Sequence, residues 1–281
     1  MIEKTLSNGV TMPPLLFGSF QMKEQSEMNA VVHSAVENGM FGFDTSPSYH
    51  TEGMLAEAVR REIESGAQAR EAFFIQSKID SWQMIVKKGA VRTYVLSCLE
   101  KTGLEYWDAL LIHWPQPTYL VATWRELEQL YRENLVKSIG VCNFSLRHFR
   151  ILKENGAELL PQICQNEIHP LNTEPALAAF CRENGILLQA YSPLCRMLPE
   201  VKDNPVLNAL AGQYGVSVAQ LVLRWHIEHG RVPIVKTSSP KRVKENADIF
   251  SFSLNADDVQ KIDALDRRFK IFLESRCCPG Y

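Results

Sequence analysis

Polar side chains close seven of the apolar, strand-like runs in this sequence, and their types could do chemistry. These residues are Asp44, Lys78, His113, Asn143, Gln165, Tyr191 and Lys236. An eighth candidate, Tyr49, follows Asp44 by five residues in a loop rich in Ser and Pro. In a barrel of parallel strands the carboxyl ends of all strands meet on one face, where active sites lie. The spacing therefore predicts that these side chains share one site.

Each residue also has an ordinary structural explanation. Asp is common in turns after strands, and polar side chains at strand ends often satisfy backbone groups or face solvent. For any single position that explanation is at least as good as a functional one. The functional interpretation rests on the whole set, because all seven residues occupy matching positions.

The first half of the set predicts acid catalysis. A tyrosine hydroxyl has a pKa near ~10, which is too high for an efficient proton donor at neutral pH. A nearby ammonium favours the phenolate, so we expect Lys78 to lower the pKa of Tyr49 and Asp44 to pair with Lys78. His113 can donate a hydrogen bond to a substrate oxygen. This combination suits protonation of an oxygen that gains negative charge as hydride reaches the attached carbon.

The second half of the set can hold a hydride donor. Tyr191 offers a flat face for a nicotinamide ring, and Asn143 and Gln165 can hold its carboxamide. The segment KTSSPKRVKEN combines strand-end Lys236, hydroxyl groups, a predicted helix N-terminus and Arg242. Helix N-termini attract anions. A solvated basic loop is the alternative for this segment alone, but beside the rest it favours an extra phosphate and therefore NADPH over NADH.

The elements that must position these residues alternate along the chain. A hairpin turns at Asn8-Gly9, the strongest two-residue hairpin signal, and strands then alternate with helices. Eight strand–helix units in about 250 residues predict an α/β fold, a single (β/α)8 TIM barrel. Two extra helices are expected, at 205–213 and after Asn255, together with one long helix over 83–101. Ser217 and Gln220 have the spacing of a capping box, which predicts that a further helix begins there. A doubly wound sheet is the alternative architecture, but the turn after the first barrel strand reads FGSFQMK and lacks GxGxxG.

Composition narrows the class of protein further. With 281 residues, 46% of them hydrophobic, the chain can bury one large core, and we expect a single domain over 1–281. The net charge of −2 predicts no nucleic-acid partner, and no apolar run predicts a signal or a membrane span. Seven cysteines without regular spacing favour a reducing, cytoplasmic location and no metal site.

The motifs around these residues resemble those of the aldo-keto reductase family, from the hairpin to about Asn246. They are FDTSPSY, the strand ending in Lys78, LIHWP, IGVCNF, QNEIHP, AYSPL and VKTSSPKRVKEN. The resemblance implies an eight-stranded barrel that binds NADPH/NADP+ without a Rossmann domain. It implies an oxidoreductase that reduces small-molecule aldehydes and ketones to alcohols. A monomer or weak homo-oligomer is expected.

Roles follow from the resemblance position by position. The catalytic tetrad falls on Asp44, Tyr49, Lys78 and His113. Cofactor contacts fall on Gly18, Asp44, Cys142, Asn143, Gln165, Tyr191, Ser192 and Leu194, and contacts to the 2′-phosphate and adenine on Lys236, Thr237, Ser238, Arg242, Glu245 and Asn246.

The chain departs from the family pattern near the expected substrate pocket. Cys142 replaces the usual Ser beside Asn143, which would soften one carboxamide contact because a thiol is a weak donor. Asp80 stands where many members carry an aromatic residue that lines the pocket, and Trp82 is two residues further on. A carboxylate that pointed inward would disfavour anionic substrates. The pocket candidates, which suit apolar carbonyl compounds, are Phe20, Tyr49, Trp82, His113 and Trp114.

Two other functions remain open at this stage. The chain can be a cofactor-binding sensor on the same barrel with little turnover, since a fold does not fix a function. Alternatively, Lys78 can be the Schiff-base lysine of an aldolase-type barrel. The tail from Lys270 to Tyr281, with Cys277 and Cys278, shows no periodicity and predicts nothing specific.

Overall fold

Parallel strands close into a barrel in which each strand pairs with the next one along the chain and the last pairs with the first. The computed structural model of the protein describes residues 3–85 and 89–273. An antiparallel hairpin, β1 (Lys4–Thr5) and β2 (Thr11–Met12), precedes the barrel. The barrel strands are β3 (Leu16–Gly18), β4 (Gly42–Asp44), β5 (Phe74–Ile79), β6 (Ala109–Ile112), β7 (Ile139–Cys142), β8 (Ile163–Glu167), β9 (Leu187–Tyr191) and β10 (Val232–Val235).

Helices connect successive strands and cover the outside of the barrel. They are α1 (Gln25–Glu37), α2 (Glu52–Glu64), α3 (Ser81–Ile85), α4 (Ala90–Thr102), α5 (Leu120–Arg132), α6 (Leu146–Glu154), α7 (Pro175–Glu183), α8 (Pro199–Lys202), α9 (Pro205–Tyr214), α10 (Val218–Glu228), α11 (Pro240–Ala247) and α12 (Ala256–Asp263). Short 3-10 turns lie at Pro47–Tyr49, Arg70–Ala72 and Cys195–Met197. The predicted fold class is therefore confirmed.

The strands bury apolar side chains on both faces. Along β6, Leu110 packs into the layer between barrel and helices, whereas Leu111 points into a second cluster with Leu16 and Phe74. Both leucines are at most 1% exposed. This is the continuous apolar pattern that parallel strands show when both faces are covered.

The N-terminal hairpin closes the amino-terminal end of the barrel. Gly9 has a φ of 87°, which glycine adopts without strain, and the Asn8 side chain accepts from Val10 N and donates to Lys137 O. Met12, fully buried, packs with the interior residues of the strands. With this end plugged, the interior opens at the other end, where the strands finish.

The structure differs from the sequence-based expectation in its helices. The predicted extra helices are present as α9 and α12, and Ser217 and Gln220 form the predicted capping box of α10. The single long helix over 83–101 was wrong, because Gly89 adopts a φ of 81° at the N-cap of α4 and separates it from α3. Short α8 was not anticipated.

Within residues 3–85 and 89–273, no single helix is long and apolar enough to cross a membrane. In this described part of the chain, one pair of helices, α9 and α10, reaches that length and composition together, with a bend of 87° between them.

Neighbouring strands pack closely at Gly140, so a substitution at this position tests the geometry of the barrel. A Cβ at this position would lie 2.7 Å from the Ile163 carbonyl oxygen and 2.9 Å from its Cβ. Because backbone cannot move aside cheaply, Gly140→Ala should lower the free energy of unfolding by about 2 kcal/mol. Urea unfolding followed by circular dichroism measures this. Gly53→Ala is the matched control, since a Cβ there meets nothing within 4 Å, and equal stability of both variants would contradict the packing argument.

Candidate active site

A cavity of about 590 Å³ opens at the carboxyl ends of the strands. Many of the predicted site residues line it. The lining consists of Gly18, Phe20, Gln21, Asp44, Ser48, Tyr49, His113, Trp114, Asn143, Gln165, Tyr191, Ser192, Pro193, Leu194, Arg196, Ile234, Val235, Lys236 and Phe272. The side chains that closed successive strands in the sequence therefore meet at one place, as the barrel requires.

A buried ion pair lies at the floor of this cavity. Lys78 Nζ is 2.8 Å from each carboxylate oxygen of Asp44 and donates to Thr45 O at 2.9 Å. The two side chains are 0% and 5% exposed. Burial lowers the pKa of Lys78, but Asp44 and then Tyr49 outweigh that effect and raise it overall. The lysine is therefore a permanent ammonium.

Side-chain amides complete the surroundings of the Asp44 carboxylate. Gln76 Nε2 donates to Asp44 Oδ2 at 2.6 Å and Gln165 Nε2 donates to the same oxygen at 3.1 Å. Both amides also donate to Gln189 Oε1 at 3.0 Å. A buried ion pair is tolerated only when further hydrogen bonds satisfy its remaining polar atoms, and these glutamines do so. Gln165 is among the residues predicted from the sequence, whereas Gln76 and Gln189, which lie mid-strand, are not.

These contacts argue against a Schiff-base role for Lys78. An amine must lose its proton and reach the substrate before it can attack a carbonyl carbon. The ammonium of Lys78 is held by Asp44 and Thr45, its pKa is raised, and the residue does not line the cavity.

Tyr49 lies above this ion pair at the end of the 3-10 turn Pro47–Tyr49. His50 ends the turn with a φ of 56°, and the Phe20 and Tyr49 rings pack edge-to-face with 5.0 Å between their centroids. Lys78 Nζ is 4.9 Å from the centroid of the Tyr49 ring, and this nearby ammonium acts to lower the pKa of the phenol.

The expected net acidification of Tyr49 is not what the structure gives. Burial raises the pKa of Tyr49 to about 12, and this outweighs the lowering effect of Lys78. Asp44 adds a further increase. The phenol is consequently protonated at neutral pH, and the ammonium limits the rise in pKa without reversing it.

His113 completes the cluster at the end of β6. Its ring meets the Tyr49 ring edge-on at 5.8 Å between centroids and stacks with Trp114 at 6.4 Å. Asn143 Nδ2 donates to the His113 carbonyl oxygen at 2.8 Å. On the other side, His113 Nδ1 lies 2.5 Å from Asp80 Oδ1.

The Asp80 side chain therefore points away from the cavity, whereas a residue that lined the pocket would face it. It is 4% exposed, and burial raises its pKa, but hydrogen bonds from His113, Ser46 and Ser48 hold the pKa below its ordinary value. Trp82 is 50% exposed and is not among the residues that line the cavity. Phe20 and Trp114 do line it.

The opposite wall carries the residues expected to hold a nicotinamide. Tyr191 Oη donates to Asn143 Oδ1 at 2.8 Å, and Asn143 itself adopts a φ of 60°. Ser192 follows with a φ of 48°. Cys142 is fully buried at the end of β7, where burial raises the pKa of its thiol. The thiol is therefore a neutral neighbour of the ion pair and does not line the cavity.

Basic residues extend the site toward the N-terminus of α11. Lys236 and Arg242 are exposed, and neither has a carboxylate within salt-bridge distance among the described residues. Glu245 is 3.8 Å from Lys241, and Ser238 is exposed. Thr237 and Asn246 are buried behind them, and Thr237 Oγ1 accepts from Ser239 N at 3.0 Å.

The residues that close the cavity from the C-terminal side were not predicted from the sequence. Phe272 lies 5.7 Å from Tyr191 between ring centroids, and the Arg196 guanidinium is 4.8 Å from its ring. The carboxylate of Glu167 fixes this segment by accepting from Ile271 N at 2.7 Å and Phe272 N at 2.9 Å. No periodicity marks residues 270–273, so only the length of the tail could have suggested a wall. Cys277 and Cys278 lie outside the described residues.

Fold and site together define an enzyme of the (β/α)8 class, with its titratable groups at the carboxyl ends of the strands. Comparison with known proteins identifies the family. The model for the aldo/keto reductase family matches residues 14–267, and the chain belongs to this family.

Individual relatives match over nearly the whole chain. An uncharacterized oxidoreductase of Bacillus subtilis, YtbE, is 40% identical over 269 residues, which cover 96% of this chain and 94% of YtbE. A glyoxal reductase of the same organism is 39% identical, with 93% of this chain and 92% of the reductase covered. A crystal structure of a Bombyx mori aldo-keto reductase in complex with NADP is 29% identical and superposes with a TM-score of 0.90, over 100% of this chain and 98% of that one.

The ion pair makes a direct prediction about stability. Asp44→Asn leaves the fully buried Lys78 ammonium without its counter-charge and should lower the free energy of unfolding by about 3–5 kcal/mol. Chemical denaturation at neutral pH measures this loss. The double variant Asp44→Asn/Lys78→Met should recover a large part of it, because no unpaired charge remains. Wild-type stability in the single variant would contradict the assignment of a charged pair.

Proposed function

We propose that the protein reduces an aldehyde or ketone to the alcohol with NADPH, and that Tyr49 donates the proton. The observation that carries this proposal is the placement of a protonated phenol above a buried ammonium, edge-on to His113, at the mouth of a barrel of this family. The proton donor and a hydrogen-bond donor thus line the same side of the cavity.

The residues present fit the cofactor. Bound NADPH would supply the hydride that reaches the carbonyl carbon. Tyr191 offers an aromatic face inside the cavity, with Asn143 and Gln165 beside it. Lys236 and Arg242, which have no carboxylate partner among the described residues, flank a helix N-terminus and match an additional phosphate.

The roles of the protein's own residues follow from their charges. His113 and Tyr49 orient the carbonyl oxygen by hydrogen bonding. Tyr49 then gives its proton to that oxygen as negative charge develops on it. Lys78 stabilises the phenolate left behind, because its ammonium is fixed close to the ring and cannot leave. Asp44 keeps the ammonium in place.

The walls of the cavity favour small, uncharged and largely apolar substrates. Phe20, Trp114 and Phe272 line it beside the titratable groups. Since a glyoxal reductase is a 39% identical relative, short 2-oxoaldehydes are the first compounds to test. A panel of glyoxal, methylglyoxal and aromatic aldehydes, followed by NADPH absorbance, decides the substrate class.

Tyr49→Phe isolates the proton donor. The variant keeps the ring and its contact with Phe20 but removes the acidic hydrogen, so turnover should fall about a hundredfold or more while NADPH binding changes little. Turnover is measured with the best aldehyde of the panel, and binding by fluorescence quenching. Tyr214→Phe is the control, because that hydroxyl contacts Asp258 in the helix layer. Wild-type turnover in Tyr49→Phe would remove Tyr49 from the mechanism.

Arg242→Ala tests the phosphate site. Loss of one charge-assisted contact should weaken NADPH about tenfold and leave NADH nearly unchanged. Titration of each dinucleotide against the variant gives both affinities. Lys244→Ala, which removes another exposed cation of α11, serves as the control. A parallel loss for NADPH and NADH would refute the assigned contact.

A cofactor-binding sensor is the second candidate function. The observation in its favour is the ring of Phe272, which meets Tyr191 at 5.7 Å and so narrows the cavity beside the expected nicotinamide face. The aldehyde panel separates the two functions. Tight NADPH binding without turnover of any aldehyde would favour the sensor.

A further inference from the structure

Asp80 forms a compact hydrogen-bonded group with His113 and the Tyr49 loop. His113 Nδ1 is 2.5 Å from Asp80 Oδ1. The other carboxylate oxygen, Oδ2, accepts from Ser46 Oγ and from the backbone N–H of Ser48, each at 2.9 Å. The side chains of Asp80 and His113 are 6% and 14% exposed. The carboxylate therefore lies behind the imidazole, on the side away from the cavity.

The donors and acceptors around Asp80 determine which ring nitrogen of His113 carries a hydrogen. The bonds that Asp80 receives hold its pKa below the ordinary value, so it is a carboxylate at neutral pH and can only accept. The backbone N–H of Ser48 can only donate, and the Ser46 hydroxyl donates to the same oxygen. Nδ1 of His113 must therefore carry a hydrogen. The remaining ring nitrogen, Nε2, is the one available to a molecule in the cavity.

This proton placement conflicts with a neutral His113 as a donor to the substrate. A neutral imidazole has one N–H, and here Nδ1 holds it. Nε2 would then present a lone pair to the lone pairs of a carbonyl oxygen, which is repulsive. Only the imidazolium carries hydrogens on both nitrogens and can serve Asp80 and the substrate together.

We propose that Asp80 is a positioning residue that holds His113 as an imidazolium, so that Nε2 donates a charge-assisted hydrogen bond to the carbonyl oxygen of the substrate. The hydrogen bond to the substrate rests on the proposed reductase function. The protonation of the imidazole does not, because it follows from contacts within the protein. It places a second full positive charge beside the oxygen that gains negative charge during reduction.

The surrounding groups are consistent with a charged ring. Tyr49 approaches from the 3-10 turn as a neutral phenol, and Trp114 stacks from the following residue. The other ionised groups of the cluster are Asp44 at the end of β4 and Lys78 on β5, and these neutralise each other. With Asp80 and a protonated His113 the cluster has no net charge.

Asp80→Asn should change which ring nitrogen of His113 carries the hydrogen, and it keeps a side chain of the same size at position 80. The Ser46 hydroxyl and Ser48 N–H still require an acceptor, so the amide oxygen takes the place of Oδ2. The amide NH2 then faces Nδ1 and donates to it. Nδ1 becomes an acceptor, and the neutral ring carries its hydrogen on Nε2. This variant can donate to a carbonyl without an imidazolium.

Steady-state kinetics give the first readout. With saturating NADPH, wild-type kcat/KM should fall about tenfold per pH unit once His113 loses its proton, whereas Asp80→Asn should stay nearly flat over that range. Tyr49 does not interfere, because its pKa is about 12. Asp263→Asn is the matched control, since Asp263 pairs with His229 at 2.8 Å in the helix layer, and it should keep the wild-type profile. An unchanged profile in Asp80→Asn would overturn the proposal.

Nitrogen-15 NMR of histidine-labelled protein gives a second readout that needs no turnover. The His113 signals are assigned by their loss in His113→Asn. We expect both ring nitrogens to be protonated at neutral pH in the wild type, and only Nε2 in Asp80→Asn. A neutral ring in the wild type, with its hydrogen on either nitrogen, would overturn the proposal even if Asp80→Asn did not fold. A chain that reduced no carbonyl compound would refute the reductase function, whereas the NMR spectra alone decide the state of His113.

Discussion

Burial of one positive charge inside the barrel is the constraint on which the rest of the site depends. Lys78 is fully buried, and an unpaired ammonium there would cost several kcal/mol. Asp44 on the neighbouring strand supplies the counter-charge. Gln76 and Gln165 donate further hydrogen bonds to the Asp44 carboxylate, which Lys78 alone does not saturate. The parallel register of β4 and β5 brings these strand ends together.

The ion pair sets the chemistry of the phenol above it. Burial alone would make Tyr49 a poor acid, and it does raise the pKa of that residue to about 12. In the proposed reaction the ammonium would act mainly on the product of proton transfer, because a phenolate beside Lys78 would be paired at once. Under that proposal the site keeps its proton at neutral pH and releases it only to an oxygen that is acquiring charge. His113, held by Asp80, would approach the same oxygen from the end of β6.

Sequence reasoning identified the fold and the cluster because both follow from periodic features. Strand-like runs alternate with helical patterns, and polar residues such as Asp44 and Lys78 end the runs at matching positions. The barrel geometry then brings them together without further information. Ser217 and Gln220 were equally readable, because a capping box has a fixed local spacing.

The missed features depend on orientation or on contacts between distant segments. Whether Asp80 faced the cavity could not be read from its position, since Ser46 and His113 decide where its carboxylate points. Gln76 lies in the middle of β5. The sequence does not show that its side chain points into the barrel, because this depends on how β5 pairs with its neighbouring strands. Phe272 is held at the cavity in part by Glu167, 105 residues away, whose carboxylate accepts from its backbone N–H. Whether the pKa of Tyr49 rises or falls depends on how deeply the side chain is buried, and a sequence does not give that depth.

The most direct measurement is a crystal structure of the protein with NADP+ and an unreactive carbonyl compound bound in the cavity. Our account predicts that the carbonyl oxygen lies within hydrogen-bond distance of both Tyr49 Oη and His113 Nε2, with its carbon facing the nicotinamide and Lys78 still bound to Asp44. An oxygen directed away from Tyr49, toward Trp114 or solvent, would contradict the assignment of Tyr49 as the proton donor.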